Sequence, residues 1–576
     1  MRRATVVVRS NSQMKEIVMA ETHREDWTFV LCDSLEKVFA DERPRAMDES
    51  IPYSVFLDET ASFQVAFLPR TIEDIMEHEK LGELKFTITS NEQFISMSSV
   101  EFVPCAVVAF DNADEGYLRT TPGLYPDLLV PFADDGLVAP IVGQWRAVWV
   151  DFVVSDAADA GTHVVTIQAT STMSNEIVFT RDVTITVLPR VLPELDIVNT
   201  HWFHCDGLAS YYGVEVFSED HWRIIECFIA KAAEADINSL LTPTWTPPLD
   251  TAIGGLRTPT QLIDISWVDG RYVFGFEKLI RWLDICARHG MRYVEVAHFF
   301  TQWGARSTPA IYVQRDGSLA REFGWDTEAT DPRYRELLEQ LIPEMNQVFL
   351  EHWDLQRVIY HISDEPSAAT LDSYRRSKEV VLDLLGNGLI VDALSDYEFY
   401  ASGAVTLPVV ATDAVEPFLA NDVDNFWVYY CVGQNRDVAN RFIGLPSVRN
   451  RVLGWQLFAF NVRGFLQWGY NFYNNQWSRH AINPFADTSV GGVFPAGDSF
   501  LVYPGPDGQP YESIRFRVFA AAMADHRAMR LAVEHTDRPT VMETIDPDRT
   551  LAFDRFNYDP DFYRRTREAI NGLIKG

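Results

Sequence analysis

Residues 357–386 read RVIYHISDEPSAATLDSYRRSKEVVLDLLG. A run of β-branched and aromatic residues gives way to two adjacent acids and a proline, and then to apolar residues three and four apart. That pattern predicts a strand, a short loop and an amphipathic helix. The unit repeats upstream: LDIVNTHWF (195–203) precedes SEDHWRIIECFIAKAAEAD (218–236), INSLLTP (237–243) precedes GFEKLIRWLDICARHG (275–290), and MRYVEVAHFF (291–300) precedes DPRYRELLEQLIPEMNQVFLEHW (331–353). Downstream, LIVDALS (389–395), LPVVATD (407–413), NFWVYYCV (425–432) and GFLQWGYNF (464–472) continue the strands, with the helix-like DVANRFIGLPSVRNRVLGW (437–455) before the last. Eight strands, mostly joined by helical crossovers, predict a (β/α)8 TIM-type barrel over 191–480.

The flanks read differently. WTFVLCD (27–33), IPYSVFLDETASFQVAFLP (51–69), KFTITS (85–90), WRAVWVDFVVSD (145–156), THVVTIQATST (162–172) and EIVFTRDVTITVLP (176–189) alternate with period two between polar turns. They predict an antiparallel β-sandwich over 1–190, closed by the proline-bearing LPRVLPELD (188–196). The acidic DNADEGYLRTTPGLYPD (111–127) reads as a solvated loop. Residues 481–576 are expected to form a long loop and then helices near 511–535 and 559–575, packed outside the barrel.

Composition narrows the function. The 576 residues carry 49 Lys and Arg against 82 Asp and Glu, a formal charge of -33, which repels phosphate backbones and anionic headgroups. Neither nucleic acid nor a membrane surface is an expected partner. No apolar run reaches the ~18 residues of a membrane span. MRRATVVVRSNSQMKEIVMAETHRED at the start lacks an apolar core of signal-peptide length. The six cysteines are scattered with no C-x-x-C pair, which fits reduced thiols and a cytoplasmic location. His201 and His204, three apart on a strand, point to opposite sides, and no H-E-x-x-H occurs, so neither a metal nor another cofactor is expected.

Asp364 and Glu365 fall at the carboxyl end of the fourth barrel strand, the face where barrel enzymes place their chemistry. Pro366 biases Glu365 towards an extended conformation and holds the pair out of the next helix, which Ser367 helps start. The pair is also an ordinary acidic helix start. Side chains alternate along a strand, so both acids reach one cavity only if the strand end twists. One division of labour fits: an acid that protonates a leaving oxygen and a carboxylate that steadies the amide nitrogen of a 2-acetamido sugar whose own carbonyl attacks the anomeric carbon. A neighbouring like charge helps keep the proton donor protonated at neutral pH. Glu365 is then the acid/base and Asp364 the amide-orienting residue.

LLTPTWTPPLDT (240–251), HFFTQWGA (298–305), HISDEPS (361–367), WVYYCVG (427–433), NRVLGWQLFAFNVRGFLQWGYNFYN (450–474) and GDSFLVYPGPDGQPYESIRFR (497–517), in that order, resemble glycoside hydrolase family 123 and the broader group sharing its catalytic domain. The resemblance spans roughly 195–535. It implies a β-sandwich ahead of a (β/α)8 barrel and an exo-acting β-N-acetylgalactosaminidase that retains configuration by substrate assistance, with its Asp-Glu pair falling on Asp364 and Glu365.

The expected substrate is therefore a glycan or oligosaccharide, and aromatics at the carboxyl face are expected to stack on its rings. His298, Trp303, His361, Tyr429, Trp468 and Asn471 are the expected substrate contacts; Trp427 with Tyr429, and Trp468 with Tyr470, are each expected to be cavity-lining or core together. Two alternatives stand beside this reading. One is a two-carboxylate retaining glycosidase on sugars without an acetamido group, with Asp396 or Glu398 as nucleophile. The other is a carbohydrate-binding barrel without turnover.

Overall fold

The structure, a computed structural model, describes residues 27–69, 82–89, 95–133, 136–155, 158–366 and 368–574. The amino terminus and Ser367, on which two of the readings above rest, lie outside them.

Two sheets form the first layer pair. The larger runs in the order Trp27–Asp33, Glu59–Pro69, Arg146–Val154, Ile95–Cys105, Gly123–Pro131, Pro510–Ser513, Tyr503–Pro504, every pairing antiparallel. The smaller runs Ser54–Leu57, Ile177–Val191, Gly161–Ser171, Leu84–Thr89, Leu137–Val138, with one parallel pairing at the Ser54 edge. Alternate residues meet between them: Phe29, Phe63, Phe67, Val148 and Val150 from one face, Phe86, Val165, Ile167 and Ile185 from the other.

Eight parallel strands close into a barrel: Val198–His201, Ser239–Thr242, Tyr293–Val296, Val358–His361, Leu389–Leu394, Leu407–Ala411, Trp427–Tyr429 and Gly464–Gln467. Each falls inside one of the eight strand segments of the sequence. Two of the first four crossover helices begin with a side-chain cap. Ser218 accepts the His221 amide ahead of Glu219–Ala233, and Asp331 accepts the Arg333 amide ahead of Pro332–His352, with proline at the first helical position.

Three features depart from expectation. A four-stranded sheet (Arg271–Gly275, Asp264–Val268, Ile311–Arg315, Ser318–Phe323) is inserted after the second and third barrel strands. The helix over 437–455 is confined to Val448–Ala459, because Pro446 removes an amide donor and biases the residue before it away from the helical region. The acidic stretch 111–127 is a solvated loop only as far as residue 122, and even there Asp114 is drawn inward. It ends inside the strand Gly123–Pro131, where fully buried Asp127 takes both forks of Arg515 at 2.9 and 2.8 Å and the Tyr503 hydroxyl at 2.7 Å. Asp114 likewise accepts from Arg449 at 2.7 Å. These acids are consumed in seams between the first sheet and the rest of the chain.

The helix Ile514–His535 covers the barrel against Val448–Ala459. Their approach requires glycine at 454, where an added Cβ would stand 1.9 Å from the Ala522 carbonyl oxygen. Among the described residues no helix is long and apolar enough to cross a membrane.

Candidate active site

The fourth barrel strand ends at His361, and the chain runs on through Ile362 and Ser363 to the acid pair. Asp392 of the fifth strand fixes this exit: buried, it accepts the Ile362 and Ser363 amides on Oδ1 at 3.2 and 3.0 Å and the Tyr374 hydroxyl on Oδ2. The chain leaving the third strand is laced to the other side. The Phe299 and Phe300 amides donate to the His361 and Ile362 carbonyls at 3.2 and 3.0 Å, the Ser363 hydroxyl to the Thr301 carbonyl at 2.9 Å, and the Trp303 amide to the Asp364 carbonyl at 3.0 Å.

Glu365 then adopts φ = 42°, a left-handed conformation that costs a residue with a Cβ of the order of 1–3 kcal/mol. This left-handed turn is not the extended conformation expected ahead of Pro366, but it supplies the twist that two adjacent acids need, and Asp364 and Glu365 line the same cavity. Facing them, Trp303, Gly304 and Ala305 are also left-handed in succession, at φ of 62°, 115° and 52°.

The cavity measures about 150 Å³, on the scale of one sugar ring. Rings of Trp202, Trp303, Tyr429, Trp468 and Phe494 form much of its wall, and Asp250, Gln302 and Cys431 supply polar atoms beside the acid pair. The Tyr429 hydroxyl donates to Glu365 Oε1 at 2.8 Å. Burial pushes the Asp364 carboxyl well above the usual range, and the charges of Glu365, Asp392, Asp250 and Glu295 add to it. Burial also raises Glu365, opposed by the Tyr429 hydrogen bond. Burial and the charge of its neighbour thus drive Asp364 towards the neutral form, and burial drives Glu365 the same way.

Of the expected contacts, Trp303, Tyr429 and Trp468 stand on the cavity wall, Trp303 at its mouth with 44% of its surface exposed. His298, His361 and Asn471 do not: each is fully buried, and none lines the cavity. The sequence placed the histidines at strand ends facing substrate, but the barrel closes over them. The His298 ring lies tilted by 33° against that of His361, centroids 4.5 Å apart, and His361 lies 3.1 Å from Glu295 Oε1 without the alignment of a hydrogen bond. Glu295 in turn takes the Trp202 indole N–H at 2.7 Å. The two rings form a floor beneath Trp202. Asn471 is spent on the backbone, accepting the His204 amide at 2.8 Å.

The pairing expected of Trp468 and Tyr470 also fails. The eighth strand ends at Gln467, so alternation lapses; Trp468 reaches the cavity while Tyr470 donates to the Phe228 carbonyl at 2.8 Å in the core. Asp396 accepts the Glu398 amide at 3.0 Å to start the short helix Glu398–Ala401, and neither acid lines the cavity. His204 accepts from Arg257 and donates to the Trp468 carbonyl, both at 3.0 Å, and burial depresses its pKa to about 3, so the ring is neutral. Among the described residues no group of three or more His, Cys, Asp or Glu is arranged to hold a metal ion. Trp202, Asp250, Gln302, Cys431 and Phe494 went unnoticed as cavity residues. Asp250 and Gln302 do lie within the quoted motifs PTWTPPLDT and HFFTQWGA, which was the available signal.

Comparison with known proteins gives three results. The model of the glycoside hydrolase 123 catalytic domain matches residues 202–532. Among solved structures, the chain is similar in fold to a family 123 glycoside hydrolase from Clostridium perfringens described for glycolipid glycan hydrolysis, at 12% identity and a TM-score of 0.67, covering 95% of this chain and 97% of that one. A family 39 glycoside hydrolase from Bacteroides cellulosilyticus WH2 lies much further off, at 9% identity and a TM-score of 0.33 over 77% of this chain and 80% of that one. No curated protein matches the chain.

Proposed function

Because the chain belongs to glycoside hydrolase family 123, we propose that it removes a terminal β-linked 2-acetamido sugar, of the N-acetylgalactosaminide type, by a retaining, substrate-assisted route. The observation that carries this reading is the turn at Glu365, which brings two sequence-adjacent acids onto one cavity of sugar size. The cavity also favours a ligand that donates. The indole N–H of Trp202 and of Trp468 and the Tyr429 hydroxyl are already committed to Glu295, Asp498 and Glu365, while carboxylate oxygens face the space. An acetamido N–H meets such a wall well.

In the first step the substrate's amide oxygen attacks the anomeric carbon as the bond to the leaving oxygen breaks, and Glu365 delivers its proton to that oxygen. Asp364 stays ionised and accepts the amide N–H, which gains positive charge as the oxazolinium ring closes. In the second step water attacks the same carbon from the opposite side and Glu365 takes its proton. The ring C–O bond then breaks and the acetamide is restored. Two inversions give net retention. Burial raises both acids and the charge of Glu365 raises Asp364 further, so the pair retains a proton; the amide N–H of the bound sugar, donated to Asp364, favours its ionised form and leaves that proton to Glu365.

The test is hydrolysis of 4-nitrophenyl β-N-acetylgalactosaminide, its N-acetylglucosaminide counterpart and the plain galactoside by wild type, Glu365→Gln and Asp364→Asn. Turnover confined to acetamido sugars, with both variants at least about a hundredfold slower, is the expected result. Cleavage of the plain galactoside at a comparable rate sinks the substrate-assisted route.

A further inference from the structure

A third carboxylate shares the cavity with the acid pair, and the proposed chemistry gives it no task. Asp250 closes the sequence Pro247-Pro248-Leu249-Asp250 after the second barrel strand and lines the cavity with Leu249. It is held hard. Its amide donates to Gln302 Oε1 at 2.7 Å, its carbonyl accepts the Ser478 hydroxyl at 2.8 Å, and its Oδ2 accepts the Trp477 amide at 2.8 Å. Its backbone sits at φ = 36°, again left-handed. Oδ1, by contrast, takes no hydrogen bond from another described residue. Strained backbone, a clamped side chain and one spare acceptor oxygen on a sugar-sized cavity are what recognition of a hydroxyl group requires.

We propose that Asp250 is a specificity-determining residue whose Oδ1 accepts a hydrogen bond from a ring hydroxyl or the hydroxymethyl group of the sugar held against Asp364 and Glu365. The inference rests on reading the cavity as a sugar site, and it adds what the acid pair cannot supply, a choice among sugars. A sugar O–H is a donor that rotates to suit an acceptor, and a charged acceptor strengthens the bond. A site built around such a bond rejects the analogue that lacks the hydroxyl, because the carboxylate is then left without its partner.

Three ways of occupying the position are distinguishable. As a tether for the 477–478 segment only, Asp250 needs one acceptor oxygen, which asparagine also provides. As a nucleophile it would be indispensable to turnover. As a hydroxyl acceptor it needs both oxygens, one for Trp477 and one for the sugar, and asparagine supplies one acceptor where two are used.

The experiment is calorimetric titration of Glu365→Gln, and of Glu365→Gln carrying Asp250→Asn, with methyl β-N-acetylgalactosaminide and its 3-deoxy, 4-deoxy and 6-deoxy analogues. The expected result is that Glu365→Gln loses about tenfold to a hundredfold in affinity for one deoxy analogue, while the double variant binds the parent sugar that much more weakly and loses nothing further with the same analogue. Equal binding of the parent sugar by both proteins overturns the inference, as does an undiminished penalty for every deoxy analogue in the double variant. So does failure of Glu365→Gln to bind any of the glycosides. Asp250→Asn alone is assayed for turnover beside them: a rise in KM with kcat within about tenfold of wild type is expected, and a loss of kcat beyond about 10⁴-fold would identify a nucleophile instead. Binding with this pattern by an enzyme that turns over no acetamido glycoside leaves the recognition standing and removes the proposed mechanism, so the two fail separately.

Discussion

Replacing Tyr429 by phenylalanine removes a hydroxyl that donates to Glu365, and its effect on the acid can be worked out. The bond is 2.8 Å long, and a hydrogen bond to a charged group is worth about 1.5–3 kcal/mol. It favours the ionised form of Glu365 and therefore holds the pKa down against burial. The Cys431 thiol stands 4.0 Å from the same oxygen, too far for a weak donor to take its place. Part of the bond survives protonation, because the hydroxyl still meets a carboxyl oxygen, so about half of its worth separates the two forms. At 1.36 kcal/mol per unit this raises the Glu365 pKa by about one unit in Tyr429→Phe. Glu365 acts first as a general acid and must be protonated, so its ionisation sets the alkaline limb of kcat/KM. The limb should move to higher pH by about one unit. The assay is the pH dependence of kcat/KM on a 4-nitrophenyl acetamido glycoside, wild type beside variant. An alkaline limb that stays put or moves to lower pH refutes the reasoning, since either outcome means that Tyr429 does not steady the anion of the proton donor.

Asp392→Asn should change how stability depends on pH. The folded pKa of Asp392 is about 6 against 3.8 for the unfolded chain, so the folded state holds the extra proton, and its contribution is lost as pH rises from about 4 to about 6. The two units amount to about 3 kcal/mol for a buried group. The asparagine keeps an acceptor for the Ile362 and Ser363 amides, so urea denaturation should show its stability, relative to wild type, improving by up to that amount between pH 4 and 7; parallel curves would refute the assignment. Gly454→Ala should lower stability by at least 1–3 kcal/mol, seen as a lower Tm, because its methyl meets the Ala522 backbone, which cannot swing aside. An unchanged Tm would mean that the two helices slide freely.

All eight barrel strands were legible in the sequence because each is a short apolar run with a helix or a polar loop behind it, and the acid pair was legible because a proline pins it to a strand end. The strands Ile95–Cys105 and Gly123–Pro131 were not, since serine, glutamate and proline interrupt their alternation. The inserted sheet was hidden for a related reason: its strands are half-exposed and carry charges such as Asp264, Arg271 and Arg315. At the candidate site the sequence identified Trp303, Tyr429 and Trp468 through the motifs around them. It misplaced His298 and His361 because depth below a barrel's rim depends on where pairing stops, and no local pattern records that. Asp250 escaped notice because a left-handed loop residue held by chain more than 200 positions away has no signature of its own.

The strand Pro510–Ser513 completes the first sheet, and Arg515 behind it neutralises Asp127. The partners are 388 residues apart in the chain. A ribosome adding 5–20 residues per second needs roughly 20 to 80 s to cover that distance. During that interval the first sheet waits with the free edge of Gly123–Pro131 open and an unpaired carboxylate inside it. An open edge of this kind invites pairing with another chain. The order of synthesis therefore leaves a module that emerges ahead of the barrel among the last to be finished, and the segment that leads into the barrel's covering helix also closes the sheet.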